Sequence, residues 1–298
     1  MKGMFAALPA LAVVASATSP VGGQGVPLVL HHLVVSVDSA TYHEIATSPF
    51  VREEFAATQS GFLNGVDGGI GTRLIGKYNF LQFIPVTNAM LPANGVAIVL
   101  ASERVGGLGI VAKQGMFEPG GQMSALPIEG PGGSSNTPPM YPNGVDRIRP
   151  AGADSTSRQV EFEVEEYRRT ASESLSKTDS LPVSRLTVQR FLAPYFDSHK
   201  LLAYVSSATL AMPVDDIKHI VAVLRRDQLK VATEGEGAVI DLGGITVHLI
   251  PPWSGAGVKQ IKFALTSDVP ANPVYRFGAR SQLRFGPGAI AVWDFGPR

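Results

Sequence analysis

Placing Pro85 on Pro251 without gaps sets Gly71 on Gly237, Leu74 on Ile240 and Leu81 on Val247. The same register sets Gln82 on His248, Phe83 on Leu249 and Ile84 on Ile250. Apolar strands ending in proline match one another often by chance, so the register needs support from the order of elements around it. That support exists. On either side of a Gly/Pro-rich stretch, a strand-like run leads into a helical pattern and then into several more strand-like runs. A repeat at this spacing confines the chain to folds built from two like halves. The expectation is an α+β protein of duplicated β-α-β-β modules, the first over 27–117 and the second, with C-terminal strands, over 160–298.

The first half opens on Leu28 to Val37, an apolar, β-branched run of the length of a buried strand. Asp38-Ser39 supplies a helix N-cap, and the helical pattern after it breaks or restarts at Ser48-Pro49, since proline disfavours the helical conformation in the residue before it. A glycine-rich loop over Gly61 to Gly71 follows. Thr72 to Tyr78 and Asn79 to Val86 read as a tight hairpin, and Val96 to Leu100 and Leu108 to Lys113 as further strands. Residues 118–159 turn to Gly, Pro, Ser and Asn, the composition of a surface insertion or of a linker between halves. Val160 to Arg169 mixes acidic and basic residues and reads as a solvated face.

In the second half, Val188 to Tyr195 is a short amphipathic helix and Leu201 to Met212 a strand. The helix after Pro213 carries Ile217, Ile220, Val221 and Leu224 on one face, and Asp215-Asp216 in its first turn read as a cap. Strand patterns run from there to Phe295.

Composition narrows the function classes. Lys+Arg and Asp+Glu both number 25, which gives no basic surface for nucleic acid or an anionic membrane. Glycine (32) and proline (22) favour a strand-rich fold with long loops over a helix bundle. With no cysteine in the chain, thiol nucleophiles, zinc-cysteine sites and iron-sulfur ligation are excluded. Lys2, the apolar run Met4 to Val14 and Ala15-Ser16-Ala17 form the three parts of a secretory signal over 1–17, with the mature chain starting near Thr18. The run is short for a membrane span, and no other stretch reaches the ~18 apolar residues that one requires. The expected location is therefore secreted or periplasmic.

No G-x-S-x-G, H-E-x-x-H or Walker A sequence occurs, and Gly106-Gly107-Leu108-Gly109 lacks the full dinucleotide fingerprint. What remains is histidine chemistry. His32 lies near the mouth of the first strand, and by the two-residue period of a strand His31 should point to its opposite face. His248 shares a face with Thr246 and Ile250, and Gln82 sits inside an apolar run where a buried amide must find partners. A histidine in such a place is as often a packed, hydrogen-bonded residue as a ligand.

Several short motifs carry a resemblance. His32-Leu33-Val34-Val35-Ser36-Val37-Asp38, Thr41-Tyr42, Ser48-Pro49-Phe50, Glu54-Phe55-Ala56, Gly76-Lys77 and Phe80-Leu81-Gln82-Phe83 resemble an uncharacterised bacterial family related to the glyoxalase/vicinal-oxygen-chelate superfamily. So do the later Ile261-Lys262-Phe263, Tyr275-Arg276-Phe277-Gly278 and Ala291-Val292-Trp293-Asp294-Phe295. The resemblance implies paired βαβββ modules with a mixed sheet curled around a central cavity, and one divalent metal ion held by residues of the first and late strands. Carried over, it points to His32, Gln82 and His248 as metal ligands, with Tyr204 joining them in a small-molecule pocket. The fourth ligand position falls on Tyr204 to Ser207, where no histidine or carboxylate stands, and Gln82 occupies a place where relatives carry glutamate. Two imidazoles and an amide bring no charge to offset a cation, and no general base is evident. Two functions stay open: an exported, non-catalytic small-molecule-binding module with a degenerate ligand set, or a metal-dependent lyase, isomerase or dioxygenase. No catalytic residue is assigned.

Overall fold

The computed structural model describes residues 27–63, 69–88, 91–104, 106–113, 124–125, 145–148, 159–167, 187–226, 229–253, 255–270 and 272–296. The expected signal segment at 1–17 lies outside the described residues. Among those described, no helix is long and apolar enough to cross a membrane.

The fold is α+β, with two eight-stranded mixed sheets. The first is built from β1 (Leu28–Val37), β2 (Ala57–Leu63), β3 (Gly69–Ile75), β4 (Phe80–Pro85), β5 (Val96–Ser102), β6 (Ser124–Ala125), β7 (Val145–Ile148) and β8 (Val160–Tyr167). Its order is β2-β3-β4-β1-β5-β8-β7-β6. The second comprises β9 (Leu202–Ala211), β10 (Lys230–Glu234), β11 (Gly237–Asp241), β12 (Thr246–Ile250), β13 (Gly257–Leu265), β14 (Val274–Phe277), β15 (Ser281–Gly286) and β16 (Ile290–Phe295). Its order, β10-β11-β12-β9-β13-β16-β15-β14, repeats that of the first sheet strand for strand.

Each sheet is itself two four-stranded units side by side. In the first unit β1 runs parallel to β4, a pairing that needs a crossover, and α1 (Ser39–Thr47) supplies it. In the second, β5 runs parallel to β8 with α2 (Gly107–Lys113) between them. The third pairs β9 with β12 in parallel around α4 (Val214–Arg226); α3 (Val188–Leu192) precedes it. In the fourth, β13 and β16 are antiparallel, and the described residues between β13 and β14 form no helix. The register of Pro85 on Pro251 thus lays β3 and β4 on β11 and β12, strands with the same neighbours in the two sheets.

The glycine-rich loop expected over Gly61 to Gly71 is strand at both described ends, in β2 and β3, and three further stretches differ from the sequence reading. Leu108 to Lys113 is helical: Leu108 and Val111, three residues apart, are both buried, while the Glu166 carboxylate accepts from the amides of Gly106 and Leu108 at the helix start. Val160–Tyr167, read as the start of the second module, lies within the first sheet between β5 and β7. Within 118–159, the described pieces β6 and β7 are strands of that same sheet.

One hydrophobic core joins both sheets. From β1 it takes Leu28, Leu30, Leu33, Val35 and Val37, and from β9 it takes Val205, Ala208 and Leu210. Phe55 meets Phe263 edge-on with 5.5 Å between ring centroids, and Phe83 lies 4.8 Å from Trp293. Every strand residue directed at this core has its sequence neighbours directed away from it. The functional question therefore concerns the opposite faces of the two sheets.

Candidate functional site

A β-bulge decides what the first sheet presents there. Along β1 and β5 the pairs run Leu28 with Ser102, Val29 with Ala101 and Leu30 with Leu100; the next pair is His32 with Val99. One residue, His31, is extra on β1. Leu30 and Leu33 both reach the shared core, and His31 and His32 both lie on the far face. The expectation that His31 would oppose His32 fails for this reason: the two-residue period holds only where the ladder is regular.

The far face can be read off the pairing. Glu163, Val99, His32 and Phe80 form one row across four strands, and Glu161, Ala97, Val34, Gln82 and Arg73 form the next across five. On β8, Val160, Phe162 and Val164 go to the core, which leaves Glu161, Glu163 and Glu165 as a column on the far side. This column is not a solvated face. Glu163 and Glu165 are each only 2% exposed.

The centre of the face is a three-residue cluster. Nδ1 of His31 stands 2.9 Å from Oε2 of Glu165 and 3.2 Å from Nδ1 of His32. His31 is 0% exposed and His32 3%. Phe80 holds both imidazoles in place: His32 stacks on it at 4.3 Å with 8° between planes, and His31 meets its edge at 5.3 Å. Phe191 of α3 covers His31 from above, with ring centroids 6.2 Å apart. An amide–carboxylate contact from Val188 to Glu103, at 3.2 Å, ties the start of α3 to the end of β5.

Arg73 lies across the same face. Its Nε donates to Gln82 Oε1 at 3.1 Å, its Nη1 donates to Gln59 Oε1 at 3.2 Å, and its guanidinium carbon is 5.5 Å from the Phe80 ring centre. Burial raises the pKa of Tyr195 above the usual phenol value, with the charge of Arg73 acting in the opposite direction. Asp38, which caps α1, shows the reverse balance. Burial pushes it up, but hydrogen bonds from the Thr41 hydroxyl and the Thr41 and Ala40 amides outweigh this and hold it below the usual carboxylate range.

The sequence-derived candidates separate. His32 and Gln82 share the far face of the first sheet. The oxygen of Gln82 is committed to the Arg73 guanidinium, which leaves it poorly suited to a metal cation. Tyr204, half-buried on β9, sets its ring against Tyr78 at 5.3 Å. His248 is on β12 of the second sheet, where Val247 and Leu249 enter the shared core and His248 faces away from it. There it lines a surface cavity with Glu234, Glu236 and Trp253. Neither Tyr204 nor His248 belongs to the cluster at His32.

His31 and Glu165 take their place. The strict alternation Val160-Glu161-Phe162-Glu163-Val164-Glu165 was a readable signal for a strand with one acidic face. Nothing in that pattern told which face the rest of the molecule would cover. As a donor set, two imidazoles and a carboxylate suit a divalent metal, and Glu165 could bring the ligand charge that His32, Gln82 and His248 lack. The three donor atoms all lie within 4.8 Å of one another, and among the described residues no other group of three histidine or acidic donors is arranged in this way.

Residues 155–295 match the model of a family of unknown function (DUF5829). The match takes in β8 with its glutamates and the whole second sheet, and leaves His31 and His32 outside. No curated protein matches the chain significantly in sequence. Among solved structures, the Mn(II)-bound glyoxalase from Novosphingobium aromaticivorans is similar at 11% identity, over 90% of this chain and 81% of that one, with a TM-score of 0.47. A hypothetical protein from Staphylococcus aureus is similar at 12% identity over 91% and 99% of the chains, with a TM-score of 0.49. The 2,2',3-trihydroxybiphenyl 1,2-dioxygenase from Sphingomonas wittichii strain RW1 is similar at 13% identity over 90% of each chain, with a TM-score of 0.40. At 11 to 13% identity and TM-scores below 0.5, these likenesses concern the fold alone.

Proposed function

We propose that His31, His32 and Glu165 bind a divalent metal ion and that the protein is an exported, metal-dependent enzyme of the vicinal-oxygen-chelate kind acting on a small molecule. The observation that carries this reading is the meeting of two Nδ1 atoms and a carboxylate oxygen at 2.9 and 3.2 Å. Which imidazole nitrogen carries a proton there depends on the tautomer, and in the unprotonated form each Nδ1 offers a lone pair. A cation seated among the three donors would satisfy all of them. Bound there, a metal would act as a Lewis acid toward a substrate carrying neighbouring oxygen atoms. The chain's own contributions are the Phe80 stack that fixes the imidazole planes, and the buried Glu163, two pairs along the row from His32 through Val99. The signal-like 1–17 supports export, for which recovery of a chain starting at Thr18 from the exported fraction is the check.

A second reading rests on the covering of the site. Phe191 and the near-complete burial of both histidines favour a non-catalytic binding module in which the cluster is a buried polar network. Metal analysis of protein purified without an affinity tag separates the two. One equivalent of metal, lost in both His32→Ala and Glu165→Gln, is the expected result. Absence of metal from the unaltered protein after supply of manganese, zinc, iron and nickel would overturn the enzyme reading.

A further inference from the structure

The second sheet carries a cavity of its own, remote in the fold from the cluster on the first. It measures about 300 Å³ and is lined by Glu234, Glu236, Gly237, His248, Ile250 and Trp253, among others. Its shape follows from one tight turn. Glu234 pairs with Gly237, so only Gly235 and Glu236 span the loop between β10 and β11, and Gly235 has φ 60°. A Cβ at Gly237 would sit 2.6 Å from the Leu249 carbonyl oxygen, so glycine there lets the hairpin lie directly against β12. The two carboxylates are thereby held on the rim beside His248. Pro251-Pro252, which stiffens the chain after β12, brings Trp253 to the other side.

Trp253 is 89% exposed, whereas the other tryptophan, Trp293, is fully buried and donates to Ser281. The Trp253 indole thus presents an open aromatic face beside the cavity. Among the described residues, no lysine or arginine lines the cavity. Among the described residues, neither Glu234 nor Glu236 forms an ion pair, and both are exposed at the cavity. An aromatic face, two carboxylates and apolar walls from Ala238, Leu249 and Pro251 are complementary to one ligand chemistry.

We infer that this cavity is a second ligand site, for a small organic cation of the quaternary or protonated ammonium type. The cation rests on the Trp253 face, its charge is met by Glu234 and Glu236, and its alkyl groups contact the floor beside His248. The site is independent of the metal cluster.

The test uses the full chain and tetramethylammonium chloride at constant ionic strength, with sodium chloride as the control. Trp253 is the water-exposed emitter and Trp293 the buried one, so the long-wavelength part of the tryptophan emission reports on this cavity. The expected result is a saturable change in that component, absent from Trp253→Phe and shifted to roughly fivefold or higher concentration in the Glu234→Gln/Glu236→Gln variant. No saturation beyond the sodium control would overturn the inference, as would an unchanged midpoint in the double variant. So would saturation by nickel chloride, lost in His248→Ala, with no response to tetramethylammonium; the cavity would then be a metal site.

Discussion

His31 and Glu165 form a buried ion-pair geometry whose two members depend on each other. Removing the imidazole leaves a carboxylate with almost no water and without its histidine partner. His31→Ala is therefore expected to cost about 2–3 kcal/mol in the metal-free protein, measured by urea unfolding in chelator. Glu165→Gln keeps the shape and removes the charge, and should cost less, about 1–2 kcal/mol. Equal losses from the two variants would show that the charge does not matter at this position. Gln82 illustrates the same logic with a different outcome. It was legible as a buried amide in need of partners, but the partner, Arg73, comes from the next strand, and with it the amide oxygen faces a guanidinium. Sequence spacing identifies a polar residue in an apolar run; it does not identify the charge that will stand opposite.

At the scale of elements, the cap of α1 and the bulge of β1 are adjacent in the chain and unequal in legibility. Asp38 before a helical pattern is a local signal, and the structure shows its carboxylate accepting from the Thr41 amide at 2.9 Å and the Thr41 hydroxyl at 2.7 Å. Asp38→Ala is expected to lower stability by about 1 kcal/mol at neutral pH. Because the folded state holds this acid below its unfolded value, the contribution is fully present above the ordinary aspartate value of 3.8 and is lost as pH falls through the lower folded value. The difference between Asp38→Ala and the unaltered protein should accordingly shrink in unfolding measurements below that pH. The bulge at His31 has no such local signature. It exists because β5 pairs with β1 in a register one residue short, a long-range fact that moves an imidazole from one face of the sheet to the other. For α2, the two core contacts of Leu108 and Val111 and the distant Glu166 settle as helix a short apolar run that reads equally as a strand.

Across the whole molecule, the two sheets are locked together by a few buried polar contacts as well as by the common core. Asn79, fully buried in the β3–β4 turn, donates to the Val205 carbonyl at 3.1 Å and accepts from the Val205 amide at 2.8 Å. Beside it the Lys77 amide donates to the Ala203 carbonyl at 2.6 Å, and a Cβ at Gly76 would meet that same oxygen at 2.7 Å. Asn79→Ala orphans both groups of Val205 and is expected to cost about 2–4 kcal/mol, at about 1–3 kcal/mol for each buried polar group left unmet. Gly76→Ala should be destabilising in the same direction. Denaturant curves followed by Trp293 in the second sheet and by amide exchange in β1 would show the single transition broadening or splitting if these contacts couple the halves.

The α+β class, the strand-helix-strand order and the equivalence of Gln82 with His248 were all written in the chain. They follow from local hydrophobic period and turn chemistry, which act over a few residues. Three things were not. Each sheet holds two four-stranded units, Val160–Tyr167 belongs to the first sheet, and His32 stands with His31 and Glu165 while His248 lies in another sheet. Those outcomes depend on which strands pair and in what register. Pairing joins residues as far apart as His31 and Glu165, and a one-residue bulge reverses which side chains meet. The stretch at His31-His32 was visible as chemistry in the sequence, and its partner was settled by the fold.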